Sequence, residues 1–164
     1  MAGTSMSRDI HIRWAEAGDV DAIARVVNGA FRRAESFFVE RDRIDGETLR
    51  RMMAKGKFLL AEEGGELLGC VYLELRGERA YFGLLAVDPA RQRRGLGRRL
   101  IREVEDAARG AGCRFMDIQI VNLRAELPPF YWGLGYVETG TAPFPAEVAT
   151  KQECYFIIMS KPLV

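Results

Sequence analysis

The sequence predicts an α/β (α+β) domain with a mixed, mostly antiparallel sheet of about seven strands and about four helices. Three observations lead there. The chain has 164 residues, which suits one domain with a core that needs neither a disulfide nor a metal. From Lys57 to Val87, strand-like runs follow one another with only short glycine-bearing turns between them, which gives antiparallel neighbours. A long amphipathic helix then separates two apolar strands, and such a connection makes the strands parallel through a right-handed crossover.

Taken in order, Met1 to Arg8 is small and polar without an apolar core. It reads as a flexible N-terminus and not as a signal peptide, which leaves residues 9–164 as a single domain. Asp9 to Trp14 alternates polar and apolar residues as a first strand does, with His11 on the surface side. Gly18-Asp19 opens a helix with Asp19 as N-cap, and Val20, Ile23, Ala24, Val27 and Phe31 follow at helical spacing. Phe31 to Ile44 mixes aromatic and charged residues at no clear period. Two readings stand there: a helix that packs Phe37 and Phe38 into the core, or a lid over a substrate. Asp45 to Lys55 is a second helix with Leu49, Met52 and Met53 inward, ended by Gly56.

Lys57–Glu62 and Glu66–Arg76 are strands joined by a hairpin turn at Glu63-Gly64-Gly65, and Gly77-Glu78 turns the chain into the strand Ala80–Val87. The helix from Gly97 to Arg109 gathers Leu100, Ile101, Val104, Ala107 and Ala108 on one face and stops at Gly110-Ala111-Gly112. Arg114–Val121 is the next strand. Asn122–Pro129 is a loop or helix start, Phe130–Leu134 a short helix closed by Gly135, and Tyr136–Thr141 a strand. Ala142–Lys151 is a loop carrying Pro143 and Pro145, and Glu153–Ser160 is the last strand.

Composition narrows the function. A net charge of +1 gives a weak overall field, so neither nucleic acid nor a membrane surface is an expected partner. Cys70, Cys113 and Cys154 lie far apart, without metal-ligand spacing, and read as free thiols of a cytoplasmic protein that holds no metal. No apolar run approaches the roughly 18 residues of a membrane span.

The chemistry concentrates between Ala80 and Ala108: an apolar strand, the turn Asp88-Pro89, the loop Gln92-Arg93-Arg94-Gly95-Leu96-Gly97, and a helix that opens at Arg98. The glycines let a ligand approach the backbone, the helix start carries partial positive charge, and the arginines add charge-assisted contacts. An anion, most naturally a phosphate group, fits there. A P-loop needs Lys-Ser/Thr after the second glycine, and a Rossmann fingerprint needs a small residue at position 100, where Leu100 stands.

The motif Gln92-x-x-Gly95-x-Gly97, following Leu85-Ala86-Val87-Asp88-Pro89, resembles the acyl-CoA motif of the GCN5-related N-acetyltransferase (GNAT) superfamily. Asn122 and the run Phe130-Tyr131-Trp132-Gly133-Leu134-Gly135-Tyr136 are similar to a second family feature. The likeness extends from Ile10 to Pro162. It implies a fourth and fifth strand that are parallel and splayed, with acetyl-CoA between them. Leu85, Ala86 and Val87 would meet pantetheine through their backbone. Gln92, Arg93, Arg94, Gly95, Leu96, Gly97 and Arg98 would hold the pyrophosphate, and Asn122 would contact the cofactor near the end of the fifth strand.

The resemblance further implies direct acetyl transfer to a primary amine of a small molecule or peptide. A fourth-strand N–H would receive the developing oxyanion, and Tyr131 would be the general acid for the departing thiolate. No acid stands on the fourth strand at Tyr81, Phe82 or Gly83. Glu74 is the candidate base, with Asp117, Glu35 and Glu40 as further carboxylates; a water-mediated proton transfer or a neutral bound amine is the alternative. An acyl-CoA-binding regulatory module without turnover is the competing function. The exposed edge of the final strands admits a homodimer.

Overall fold

The computed structural model describes residues 9–38, 44–90, 95–146 and 150–164. Its strands form a seven-stranded sheet in the order β1-β2-β3-β4-β5-β7-β6. The strands are β1 (His11–Trp14), β2 (Lys57–Glu63), β3 (Glu66–Arg76), β4 (Arg79–Val87), β5 (Phe115–Val121), β6 (Val137–Pro143) and β7 (Tyr155–Pro162). The helices are α1 (Val20–Glu35), α2 (Gly46–Lys55), α3 (Leu96–Gly110) and α4 (Leu127–Trp132). β1 to β4 are antiparallel neighbours, β4 and β5 are parallel, and β5, β7 and β6 are antiparallel again.

Side-chain alternation explains the layers. Along β2, Phe58 and Leu60 point to the cluster under α1 and α2, while Leu59 and Ala61 point to the cluster under α3. Helix α3 brings Leu96, Leu100, Ile101, Val104 and Ala108 to that second cluster. Full burial of a large aliphatic side chain contributes about 1.5–3 kcal/mol, so this face alone holds the helix to the sheet. Gly69 allows the close packing: a Cβ there would sit 2.9 Å from the Ala86 carbonyl and 3.3 Å from Leu100 Cδ1.

Local differences from the sequence expectations have physical causes. Asp19 precedes α1 but does not cap it. Its carboxylate accepts from the Glu16 N–H and pairs with Arg13 at 2.8 Å. Asp45 caps α2 by accepting from the Thr48 N–H at 2.8 Å. Gly56 ends α2 in an extended conformation and not in the left-handed region. It is glycine because a Cβ would collide with the Leu73 carbonyl and lie 2.7 Å from the Tyr72 hydroxyl. Phe38 is buried, whereas Phe37 is 50% exposed, so only one of the two aromatics enters the core. Helix α4 starts at Leu127, earlier than Phe130, because Pro128 and Pro129 suit a first turn whose N–H groups have no intrahelical acceptor. Met1 to Arg8, Glu40 and the rest of 39–43 lie outside the described residues. No described helix is long and apolar enough to cross a membrane.

Candidate active site

The parallel pair β4 and β5 is short. Only Arg79, Ala80 and Tyr81 pair with Phe115, Met116 and Asp117. At this closed end the Arg79 guanidinium donates to both Asp117 oxygens at 2.8 and 2.6 Å, and the Ser160 hydroxyl of β7 donates to the same carboxylate at 2.5 Å. Burial pushes the Asp117 carboxyl up, but these two donors outweigh it and hold the group below its ordinary value. Beyond Tyr81 the strands part.

A bulge marks the point of parting. Cys70 pairs with Ala86 and Tyr72 with Gly83, so Leu84 and Leu85 together face the single residue Val71. Leu84 takes φ 49°, the only positive φ at a described non-glycine residue. Such a backbone costs about 1–3 kcal/mol and persists where the surroundings fix it. The extra residue changes the alternation. Ala80 and Phe82 precede the bulge and Val87 follows it, yet all three reach the α3 side of the core. Gly83 makes room for a neighbour, since a Cβ there would meet the Tyr81 hydroxyl.

The gap holds a cavity of about 190 Å³. Tyr81 to Leu85 line it from β4, Ile118 to Val121 from β5, Phe130 and Tyr131 from α4, and Phe31 and Glu35 from α1. Tyr131 is 6% exposed and packs its ring against Phe82, Phe130 and Tyr136. Burial pushes its hydroxyl up to about 12. Tyr136 is held in turn by Glu105, which accepts from its hydroxyl at 2.7 Å and from Lys161 at 3.1 Å.

At the other wall Glu35 is 2% exposed, with Arg124 Nη1 at 3.6 Å. Arg124 also donates through Nε to the exposed Glu126 at 3.1 Å. Nothing in the spacing of the sequence singles out Arg124 or the strained Leu84. Both depend on where the β5–α4 turn and the bulge fall in space.

The other candidate residues separate into groups. Ala86 and Val87 are buried in the core, and Leu85 lines the cavity. The Leu96 side chain is buried, so only its backbone can reach a ligand. Gly95 has φ 71° and precedes α3, and Arg99 is the first residue of α3 to bond back, to the Gly95 carbonyl at 3.1 Å. The N–H groups of Leu96, Gly97 and Arg98 thus stand at an unsatisfied helix start without an acidic side chain in the first turn. A Cβ at Gly95 would meet nothing within 4 Å, and one at Gly97 only Val87 at 4.0 Å, so both glycines leave open space above the turn. Arg98 stacks on Phe130 at 5.1 Å, which joins this loop to α4. Gln92, Arg93 and Arg94 lie outside the described residues.

Asn122 accepts from the Tyr155 N–H at 2.8 Å and is not among the residues lining the cavity. Glu74 faces Tyr81 across the β3–β4 ladder but does not line the cavity either. Tyr72 donates to it at 2.7 Å and Arg76 at 2.5 Å, and these bonds hold its carboxyl below the ordinary range. A larger cavity of about 710 Å³ lies between α1 and the β2–β3 hairpin. Among its lining residues Arg13 bonds both Asp19 and Glu62.

A splayed parallel pair, a strained bulge and an open helix start occur together. Residues 23–136 match the family model described as Acetyltransferase (GNAT) family. The chain belongs to that family. Among curated proteins it is similar to glucosamine 6-phosphate N-acetyltransferase 1 of Oryza sativa subsp. japonica, 35% identical over 79 residues, which covers 48% of this chain and 46% of that one. The chain spans about half the length of the curated relatives it matches. Among solved structures it resembles the ribosomal-protein-S18-alanine N-acetyltransferase of Escherichia coli, with TM-score 0.76, 20% identity, and 94% of each chain covered. It also resembles the PaiA N-acetyltransferase of Thermoplasma acidophilum in complex with coenzyme A, with TM-score 0.74, 18% identity, and 94% of this chain and 99% of that one covered. These two likenesses show the GNAT fold, with the parallel β4–β5 pair at its centre.

Proposed function

We propose that this chain is an acetyl-CoA-dependent N-acetyltransferase, with residues 9–164 as one cytoplasmic domain. The observation that carries the reading is Tyr131 among the residues lining the β4–β5 gap. The residues present fit the cofactor. An extended pantetheine arm suits a gap between two strands, along the backbone of Leu85 to Val87. A pyrophosphate suits the N–H groups of Leu96, Gly97 and Arg98, joined by Gln92, Arg93 and Arg94 from the same loop. When bound, acetyl-CoA supplies a thioester carbonyl: the amide bond forms as the C–S bond breaks, an ammonium loses two protons, the sulfur gains one, and one is released.

The protein's groups have separable tasks. The developing oxyanion is assigned to a backbone N–H of β4 at the bulge of Leu84 and Leu85. Tyr131, raised to about 12, stays protonated at neutral pH and holds the proton a departing thiolate needs. Glu74 is assigned no proton transfer, because its lowered carboxyl is a weak acceptor; it fixes Tyr72 and Arg76 beside Tyr81. Asn122 supports the site by pinning the end of β5 to β7. The acceptor is a primary amine of a small molecule or peptide. Every residue of the edge strand β6 is exposed except Ala142, which leaves an edge for a homodimer.

A panel of amines with acetyl-CoA, followed by release of free thiol, tests the reading. Amine-dependent thiol release with the matching N-acetyl product is expected. Tight CoA binding with no amine-dependent release would replace it with the regulatory binding module.

A further inference from the structure

Resting on the N-acetyltransferase reading, we infer that Glu105 is a positioning residue for Tyr131, acting through Tyr136 to fix where the proposed acid points. Three parts of the fold meet behind the gap: Glu105 from α3, Lys161 from β7, and Tyr136 from the turn between α4 and β6. Tyr136 donates its hydroxyl to Glu105 Oε2 at 2.7 Å, and Lys161 Nζ lies 3.1 Å from both Glu105 oxygens. Lys161 Nζ also stands 5.6 Å from the centre of the Tyr136 ring. Tyr136 is fully buried, and the Glu105 side chain is only 6% exposed.

Packing alone would not select this arrangement. Desolvation of a carboxylate and an ammonium offsets most of their attraction, and apolar side chains of equal volume often serve stability as well. A phenylalanine at position 136 would fill the same space with no polar atom to satisfy. What the charged hydrogen bond adds is direction. Glu105 holds the Tyr136 hydroxyl, and the Tyr136 N–H donates to the Tyr131 carbonyl at 3.0 Å, so the ring is fixed at both ends. That ring meets Tyr131 edge to face, with centroids 5.7 Å apart and planes at 77°. It meets Phe82 in the same way, at 6.1 Å and 89°.

Helix α3 reaches Tyr131 from its other side too. Arg98 stands about two helical turns before Glu105 on the same face of α3. It stacks on Phe130 at 5.1 Å, and Phe130 packs on Tyr131 with centroids 5.0 Å apart and planes at 76°. Tyr131 therefore sits between two aromatic side chains, each gripped by α3. The first turn of that helix is where the pyrophosphate is proposed, so one rigid element carries both the donor's anchor and the support of the acid. An acid assists a leaving group only when its proton is within reach of the departing atom.

Three substitutions test the inference. Glu105→Met removes the acceptor at nearly constant volume, Glu105→Gln keeps an acceptor for Tyr136, and Tyr136→Phe removes the donor and keeps the ring. With an amine that the unmodified protein acetylates, kcat is expected to fall about tenfold in Glu105→Met and in Tyr136→Phe. KM for acetyl-CoA should stay within about twofold, and Glu105→Gln should recover kcat to within about threefold of the unmodified protein. In a Tyr131→Phe background, Glu105→Met should cost less than about twofold, because the proton it helps to aim is gone. Unchanged kcat in both Glu105→Met and Tyr136→Phe overturns the inference. A loss as large in Tyr131→Phe as in the unmodified protein also overturns it and marks the network as merely structural. Melting temperatures check folding, and where Glu105→Met does not fold, Tyr136→Phe carries both comparisons. Tyrosine-ring NMR gives a readout without turnover, with the Tyr131 signal assigned by its absence in Tyr131→Phe. That signal should shift or broaden in Glu105→Met and hold its place in Glu105→Gln; a signal unmoved in Glu105→Met overturns the inference. No thiol release with any amine defeats the acetyltransferase reading instead, and the NMR result then decides whether Glu105 orients Tyr131.

Discussion

The two halves of the gap are built differently. The half proposed for the donor is mostly backbone: the parted strand β4, the bulge at Leu84, and the open first turn of α3 after Gly95. The other half is side chains from elements far apart in sequence, with Glu35 from α1, Arg124 from the β5–α4 turn and Phe156 from β7. A backbone site tolerates many side chains and needs glycines at fixed places. A side-chain site is free to vary with the substrate. A family fold can therefore keep one donor and change its acceptor.

The largest expected effect breaks the shared centre. Tyr131→Phe removes one hydroxyl and keeps the ring packing against Phe82 and Tyr136. Loss of a general acid costs about 100-fold or more in rate, so kcat should fall by about that factor while CoA affinity stays unchanged. Steady-state kinetics across pH read this. Unchanged turnover at every pH would remove the assignment.

The next effect falls on the donor half alone. Gly95→Glu sets a carboxylate where a pyrophosphate is proposed and forces a side chain onto φ 71°. CoA affinity should drop by about 30-fold, roughly 2 kcal/mol. Gly95→Ala carries only the backbone strain, about 1 kcal/mol, and separates strain from repulsion in the same titration.

A smaller effect belongs to the closed end. Arg79→Ala removes both donors to Asp117 that tie β4 to β5. The pair is partly exposed, so the loss should be about 1 kcal/mol, a fall of about 3 °C in a calorimetric scan. A gain in stability would mean that the clamp is not what holds the strands.

The mildest effects come from pH. Tyr131 and Cys70 are both pushed up to about 12 by burial, against unfolded values of about 10 and 8.5. In the window above those unfolded values the unfolded chain loses its protons first, so stability should decline as pH rises through it. Asp19, Glu74 and Asp117 lie below their ordinary values, so their contribution is present above about pH 4 and is lost as pH falls further. Melting curves from pH 3 to 11 read both limbs, and Tyr131→Phe should flatten the alkaline one.

The same contrast explains what could be read in advance. The hairpin glycines, the face of α3 and the strand–helix–strand unit are local patterns, and they are legible in the sequence around the half proposed for the donor. The Gly64-Gly65 turn and Gly77 take the positive φ their positions suggest. The side-chain half has no such pattern. Glu35 lay in a stretch with no period, and Arg124 is one charged residue among many until the β5–α4 turn brings it within 3.6 Å of Glu35. Leu84 is hidden for another reason: its positive φ comes from a two-to-one register with Val71, and a leucine gives no local sign of that strain.

One measurement tests the division into a backbone donor half and a side-chain half. Thermal unfolding is followed with and without acetyl-CoA for the unmodified protein, Gly95→Glu and Arg124→Gln. Saturating ligand at about 100 times its Kd stabilises by about 2.7 kcal/mol. The account predicts that the rise in melting temperature survives in Arg124→Gln and falls to about a third in Gly95→Glu, as a 30-fold weaker affinity at the same ligand concentration requires. A rise kept in full in Gly95→Glu, or stabilisation by ATP with none by acetyl-CoA, would contradict it.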